Sequence, residues 1–166
     1  MDLIFQELNN QHERTYFDCE IEPLNLYLQK FAMQNHRKGL SLTFIAAKKN
    51  IPNKILGYYS VSMGQVDFAS LPDEAKKRIP KYPIPVMRIG RLAVDKSAKG
   101  EGIGRDLLMD AFHRALEVAK SIGVYAIVVD AKDDNAKSFY RRYGFLEFTD
   151  KPMVLFILMS TIKDTQ

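Results

Sequence analysis

The sequence predicts one mixed α/β domain over residues 1–166. Three observations carry that expectation: apolar runs of strand length alternate with segments of helical spacing, proline and glycine punctuate the joins, and no internal repeat, linker or low-complexity tract divides the chain. With 166 residues there is mass for one buried core and too little for two ordinary ones.

Residues 3–8 read as a first strand and the polar residues 9–14 as the loop after it. From Glu22 the pattern turns helical: Pro23 suits a first turn, Leu24, Leu28, Phe31 and Asn35 recur on one face, and Gly39 supplies a stop. Lys30, Arg37 and Lys38 fall toward the end of this helix, where basic side chains complement its dipole. Residues 43–47 and 55–63 predict two neighbouring strands joined through Pro52 and Asn53 as a hairpin. Residues 71–79 carry Pro72 and Asp73 early and Lys76, Lys77 and Arg78 late, the charge order of a short helix.

Pro80, Pro83 and Pro85 predict an extended lead into a strand over residues 86–94. Residues 95–104 form a turn rich in glycine and charge, after which Leu107, Leu108, Ala111, Phe112, Ala115 and Ala119 keep helical spacing to a stop near Gly123. The continuous apolar run 124–129 predicts a strand covered on both faces. Asp133 or Asp134 caps a shorter helix in which Ala136, Phe139, Tyr140 and Tyr143 share a side, closed by Gly144, and residues 153–159 supply a last strand.

Composition narrows the function classes. An apolar share of 46% with 27% charged residues excludes the low-hydrophobicity composition of disorder. A net charge of +4 and a pI near 9.1 suit a polyanionic partner, either nucleic acid or a phosphorylated cofactor. Cys19 is the sole cysteine, so no intrachain disulfide forms, and it reads as a small buried apolar residue. The N-terminal residues carry an acid at Asp2 and no basic stretch feeding a long apolar run, and the longest apolar segment, 153–159, is too short to cross a bilayer as a helix. The expectation is a cytoplasmic protein that does not span a membrane.

The block that carries chemistry is Arg91-Leu92-Ala93-Val94-Asp95 followed by Lys99-Gly100-Glu101-Gly102-Ile103-Gly104-Arg105, a strand running through a glycine turn into a helix. Glycines let the backbone approach a bulky anion, and the first-turn N–H groups of a helix have no intrahelical partners, so together they can hold a pyrophosphate. Lys99 and Arg105 add charge there. The spacing is neither G-x-G-x-x-G nor a P-loop. A tight strand-to-helix corner uses the same residues, so the turn alone leaves both readings open.

Lys99 to Gly104 resembles the Gln/Arg-x-x-Gly-x-Gly/Ala signature of the GNAT acetyltransferases, with Lys99 in place of the usual Gln or Arg. Downstream, Asn135-Ala136-Lys137-Ser138-Phe139-Tyr140-Arg141-Arg142-Tyr143-Gly144-Phe145 is similar to that family's N-x-x-A-x-x-F-Y-x-x-x-G-F ending, with one spacing difference. A narrower resemblance runs through Phe17-Asp18-Cys19, Leu24-Asn25-Leu26-Tyr27-Leu28, Thr43-Phe44-Ile45, Gly57-Tyr58-Tyr59-Ser60, Pro83-Ile84-Pro85-Val86 and Val128-Val129-Asp130-Ala131. These are similar to the GNAT toxins of bacterial toxin-antitoxin modules, although Glu20 stands where those toxins often have Gly and Leu42 where they often have Arg.

The resemblance implies the GNAT fold, a central mixed and mostly antiparallel sheet flanked by helices, with acetyl-CoA as co-substrate and no metal. It implies that the backbone of Leu92, Ala93 and Val94 pairs with the pantetheine arm, and that Lys99, Gly100, Glu101, Gly102, Ile103, Gly104 and Arg105 hold the pyrophosphate. It also implies that Asn135 adds a coenzyme contact and that Tyr140 donates a proton to the departing thiolate, leaving Tyr143 to packing. The acceptor it implies is aminoacyl-tRNA, whose acetylation blocks translation. Arg37, Lys38, Lys81 and Arg91 are the candidates for phosphate contacts. A ribbon-helix-helix antitoxin and dimerisation are implied in the same way. Two other readings stay open: a GNAT enzyme acting on a protein N-terminus or small amine, and a coenzyme- or partner-binding module without turnover.

No carboxylate stands at an obvious strand position to act as base. A lysine amine near pKa 10.4 needs one, whereas an α-amine near 7.7–8.0 is already substantially neutral.

Overall fold

Among the described residues, seven strands pair in the order β1-β2-β3-β4-β5-β7-β6. They are β1 (Leu3–Glu7), β2 (Leu42–Lys48), β3 (Gly57–Val66), β4 (Ile84–Val94), β5 (Ala126–Asp130), β6 (Leu146–Glu147) and β7 (Val154–Leu158). The helices are α1 (Glu22–Leu26), α2 (Ala32–Lys38), α3 (Asp73–Lys76), α4 (Ile103–Val118), α5 (Asp134–Arg142) and α6 (Met159–Asp164). The computed structural model describes residues 2–165, so the two end positions of the predicted 1–166 domain lie outside the described residues. The β1–β2, β2–β3, β5–β7 and β6–β7 pairs are antiparallel and β4–β5 is parallel, which is the mixed, mostly antiparallel sheet expected. No helix among the described residues is long and apolar enough to cross a membrane.

The chain divides into two compact units, the first built from Met1–Ser62 and Gly90–His113, the second from Met63–Ile89 and Arg114–Gln166. In the first, the predicted hairpin forms with Thr43 opposite Ser60 and Ile45 opposite Tyr58. Ile45, Ala47, Tyr58 and Ala93 pack with Phe17, Tyr27, Leu28 and Ala32 as one core.

The predicted helix after Glu22 is interrupted by a π-turn, Tyr27–Phe31, in which the Ala32 N–H donates to the Tyr27 carbonyl five residues back. That wider turn corrects the expected face. Tyr27 and Ala32, five apart, both point inward with Leu28, while Phe31 is turned out and 48% exposed. Gly39 closes α2 as expected, with its N–H on His36 and that of Leu40 on Asn35.

The second unit has its own core of Leu71, Ile84, Val86, Ala126, Val128, Phe148 and Phe156. Ala126 to Val129 are all buried, so β5 is covered on both faces, as its unbroken apolar run requires. The expected helix over 71–79 shrinks to α3. Leu71 and Ile79 each precede a proline, which disfavours helical backbone, and Leu71 is extended at φ −76, ψ 150. Conversely β4 begins at Ile84, two residues before the expected start. Pro85 is tolerated within it because it is exposed and lends only its carbonyl, which accepts from Tyr125 N at 2.9 Å. β6 and α6 were not expected: two residues show no period, and the apolar run 153–159 conceals the change from strand to helix at Met159.

Candidate active site

In the first unit the sequence block centred on the glycine turn folds as one strand–turn–helix. β4 ends at Val94, with Ala93 buried and Leu92 and Val94 half-buried. Asp95 then breaks the strand. Its N–H donates to the Leu56 carbonyl at 2.8 Å, its Oδ1 accepts from Asp18 N at 2.8 Å, and its Oδ2 accepts from Ser97 N at 3.0 Å and from Ser97 Oγ at 2.5 Å. Burial alone raises its pKa, but the bonds from Ser97 and Asp18 outweigh burial and, with the Lys54 charge, hold the carboxyl below the ordinary range.

A short 3₁₀ turn, Lys96–Ala98, leads to Gly100 and Gly102, both at φ +81. That left-handed backbone suits glycine, and at Gly100 a Cβ would meet nothing within 4 Å, so the main chain there is open. Asp106 is the first residue of α4 with an intrahelical bond, from its N to Gly102 O at 3.1 Å. The N–H groups of Ile103, Gly104 and Arg105 lie ahead of it in the first turn, where the helix supplies no acceptor. Ile103 and Leu107 are buried and seat α4 on its unit. Gly57, at the start of β3, permits that seating, because an ideal Cβ on it would stand 2.8 Å from Leu107 Cδ1 and 2.9 Å from Ala93 O.

The two basic residues of the turn are not bare. Lys99 Nζ lies 2.6 Å from Glu20 Oε1, and Arg105 Nη2 lies 3.2 Å from Asp106 Oδ1, with the guanidinium 3.3 Å from where a Gly102 Cβ would stand. Arg91 stacks its guanidinium 3.5 Å from the Tyr27 ring centroid, and Tyr27 in turn accepts from Asn35 Nδ2 at 3.3 Å. Arg37 Nη2 donates to Asn10 Oδ1 at 2.6 Å, and Lys38 is exposed in the last turn of α2.

The second unit carries α5. Asp133 is its cap, with Oδ1 accepting from Ala136 N at 2.8 Å, which decides between the two candidate aspartates. Asn135 is exposed in the first turn of α5, and Lys81 is exposed between α3 and β4. Tyr140 is buried, its ring centroid 5.3 Å from those of Phe139 and Phe145. Burial first, and the Asp130 charge second, push its phenol well above the ordinary tyrosine range. A phenol so placed holds its proton at neutral pH. The Tyr143 ring meets Phe139 at 5.1 Å, the packing role expected of it.

Three features escaped the sequence reading. Arg88 Nη1 donates to both oxygens of Asp130, at 2.9 and 2.7 Å, a pairing whose only sequence signal is a charge inside one strand and another ending the next. The Gly57 approach shows only as a glycine in a strand pattern. The bracket from Asp95 to Asp18 spans 77 positions and has no local signature. Among the described residues, no three or more His, Cys, Asp or Glu side chains gather as they would around a metal ion.

Comparison with known proteins agrees with this geometry. The sequence model of the acetyltransferase (GNAT) domain matches residues 27–155. The tRNA-acetylating toxin of Mycobacterium tuberculosis is 34% identical over 154 residues, which cover 93% of this chain and 90% of that protein. Among solved structures, AtaT complexed with acetyl-methionyl-tRNAfMet superposes with a TM-score of 0.92 at 28% identity, covering 99% of each chain. AtaTR bound with AcCoA gives 0.85 at 29% identity, over 99% of this chain and 98% of that one. A tyrosine-to-phenylalanine variant of the toxin AtaT, bound to the C-terminus of the antitoxin AtaR, gives 0.86 at 25% identity over the same shares. A family match across most of the sequence, on a fold so closely superposed, makes this chain a member of the GNAT acetyltransferases.

Proposed function

We propose that this acetyltransferase moves the acetyl group of acetyl-CoA onto the α-amine of aminoacyl-tRNA, and so acts as a toxin that blocks translation. The observation that carries the donor half is the open glycine turn at the head of α4, with Gly100 and Gly102 left-handed and three first-turn N–H groups unclaimed by the helix. Those groups fit a diphosphate. The acceptor half rests on likeness over nearly the whole chain to a tRNA-acetylating toxin and to AtaT in complex with an acetylated aminoacyl-tRNA.

In this reading acetyl-CoA supplies the activated acyl group. The backbone of Leu92, Ala93 and Val94 aligns the pantetheine arm as an added strand, and residues 99–105 hold the diphosphate. A strand N–H near Val94 stabilises the oxyanion as the amine attacks. Tyr140 returns a proton to the departing thiolate, a role supported by its buried, firmly protonated phenol. Asn135 adds a coenzyme contact. Arg37, Lys38, Lys81 and Arg91 contact tRNA phosphates. Residues 1–166 serve as one catalytic domain in the cytoplasm, as a homodimer, neutralised by a ribbon-helix-helix antitoxin as AtaT is bound by AtaR.

Labelled acetyl-CoA offered with charged tRNA, uncharged tRNA and polyamines tests this directly. Label is expected in charged tRNA alone. Label in small amines alone transfers the enzyme to another acceptor class, and no transfer to any acceptor removes the proposal.

A further inference from the structure

The turn that this reading gives to the coenzyme is already facing an anion of the protein's own. Glu20 Oε1 sits 2.6 Å from Lys99 Nζ, and two residues earlier Asp18 Oδ2 sits 3.2 Å from Lys96 Nζ, so a three-residue segment pairs with both lysines that lead into the turn. The segment is pinned there. Asp18 N donates to Asp95 Oδ1, Lys96 N donates to the Asp18 carbonyl, Cys19 N donates to Asn25 Oδ1 and Glu20 N donates to Asp18 Oδ1, each at 2.8 Å.

Those bonds hold Glu20 at φ +68, where it is the only non-glycine residue with positive φ among those described. A side chain in left-handed backbone is strained, and such strain persists only where the surroundings impose it. Here they impose it at the residue whose carboxylate meets Lys99.

We propose that Glu20 is an internal counter-anion that sets the affinity of the glycine turn. It neutralises Lys99 while the turn is empty, and the coenzyme's diphosphate must displace it to use that charge. The carboxylate competes for the same ammonium and repels the incoming phosphates, and because Glu20 and Lys99 are 59% and 50% exposed, both effects are moderate and screened by salt. The inference rests on the coenzyme reading above and adds to it the residue that tunes binding.

Calorimetric titration of coenzyme A into the whole protein tests it, using Glu20→Gln, Glu20→Gly, Lys99→Ala and the Glu20→Gln/Lys99→Ala pair at low and at high salt. Glu20→Gln removes the charge and keeps the strained backbone, while Glu20→Gly removes both. Each is expected to bind about two- to fivefold more tightly than wild type at low salt. The gain should shrink at high salt and vanish in the Lys99→Ala background. Thermal melts check folding, and Glu20→Gly, whose φ is relieved, is expected to melt above Glu20→Gln. If wild type binds coenzyme A and both Glu20 variants bind equally or more weakly, Glu20 is a loop staple and the proposal is overturned. If wild type does not bind coenzyme A at all, the coenzyme reading falls and takes this inference with it.

Discussion

Replacing Gly57 by alanine tests the packing that fixes the glycine turn against its strand. The new methyl would stand 2.8 Å from Leu107 Cδ1, 2.9 Å from Ala93 O and 3.3 Å from Ile103 Cγ2. Leu107 is 0% and Ile103 1% exposed, so neither has free space to enter, and the Ala93 oxygen belongs to β4 itself. Forcing a methyl into such a site costs about 1–3 kcal/mol. For a chain of this length each kcal/mol lowers Tm by about 2–4 °C, so the melt should fall by about 2–12 °C. Because the displaced atoms are β4 backbone and the first turns of α4, coenzyme A affinity should fall with it. Gly64→Ala is the internal control: on the same strand its Cβ would lie 3.7 Å from Val86 Cγ2, an ordinary contact. Its melt should match or slightly exceed wild type. Circular dichroism melts of the three proteins decide the matter. A Gly57→Ala protein melting with wild type, or both variants falling alike, would show that the close approach at Gly57 does not set the seat of α4.

Tyr140→Phe should lower turnover about 10²–10⁴-fold while leaving coenzyme A affinity in place, measured by initial rates and calorimetry; unchanged turnover would take the proton-donor role away from Tyr140. Asp95→Asn should cost about 1–3 kcal/mol in denaturant unfolding at neutral pH, since the amide offers only one oxygen to the three donors that Asp95 now serves. The bonds from Ser97 and Asp18 hold the wild-type carboxyl below the ordinary carboxylate range, so its contribution is complete above that range and is lost as pH falls through the lower folded value. The variant should therefore lose that part of the acid sensitivity, and equal acid profiles would refute it. Arg91→Ala should raise KM for charged tRNA and reduce the log–log salt slope by about 1; an unaltered slope would place Arg91 away from phosphate.

Periodicity located most of the fold because burial follows it. The continuous apolar run in β5 reflects burial on both faces, and so does the unbroken burial of Thr43 to Ala47 in β2, and that is written locally. What stayed hidden depended on distant partners or on a break in period. The π-turn at Tyr27–Phe31 keeps an ordinary helical composition and shows itself only by moving Ala32 inward in place of Phe31. The candidate site divides in the same way. The glycines, Lys99 and Tyr140 sit in contiguous motifs and were legible, whereas the Glu20–Lys99 pair bridges 79 positions and the Arg88–Asp130 pair 42. The charge order of residues 71–79 predicts a longer helix than forms, because Pro72 and Pro80 disfavour helical backbone at Leu71 and Ile79.

The proton bookkeeping of the reaction yields a pH profile that separates acceptor classes. Two carboxylates close their strands, and neither is placed to act as a free base. Asp95 accepts three hydrogen bonds and is held below the ordinary carboxylate range, and Asp130 is clasped by Arg88. With neither of them taking a proton, the proposed reaction calls for an amine that arrives neutral. For an α-amine near pKa 7.7–8.0, log kcat/KM should rise with unit slope and level off near pH 8. In the proposed role Tyr140 can donate only while protonated, so its ionisation would bend the profile downward. Burial and the Asp130 charge raise that pKa above the reference value of 10.0, which places any descending limb beyond 10. The expected curve is a single rising limb with a plateau, whose height Tyr140→Phe lowers without moving its midpoint. With a polyamine acceptor near pKa 10.4 the midpoint should move up by about two and a half pH units, because the ionisation belongs to the substrate. A bell-shaped curve falling below pH 9 would mean that a different acid donates the proton, and a rising limb insensitive to the acceptor would reveal a base on the protein.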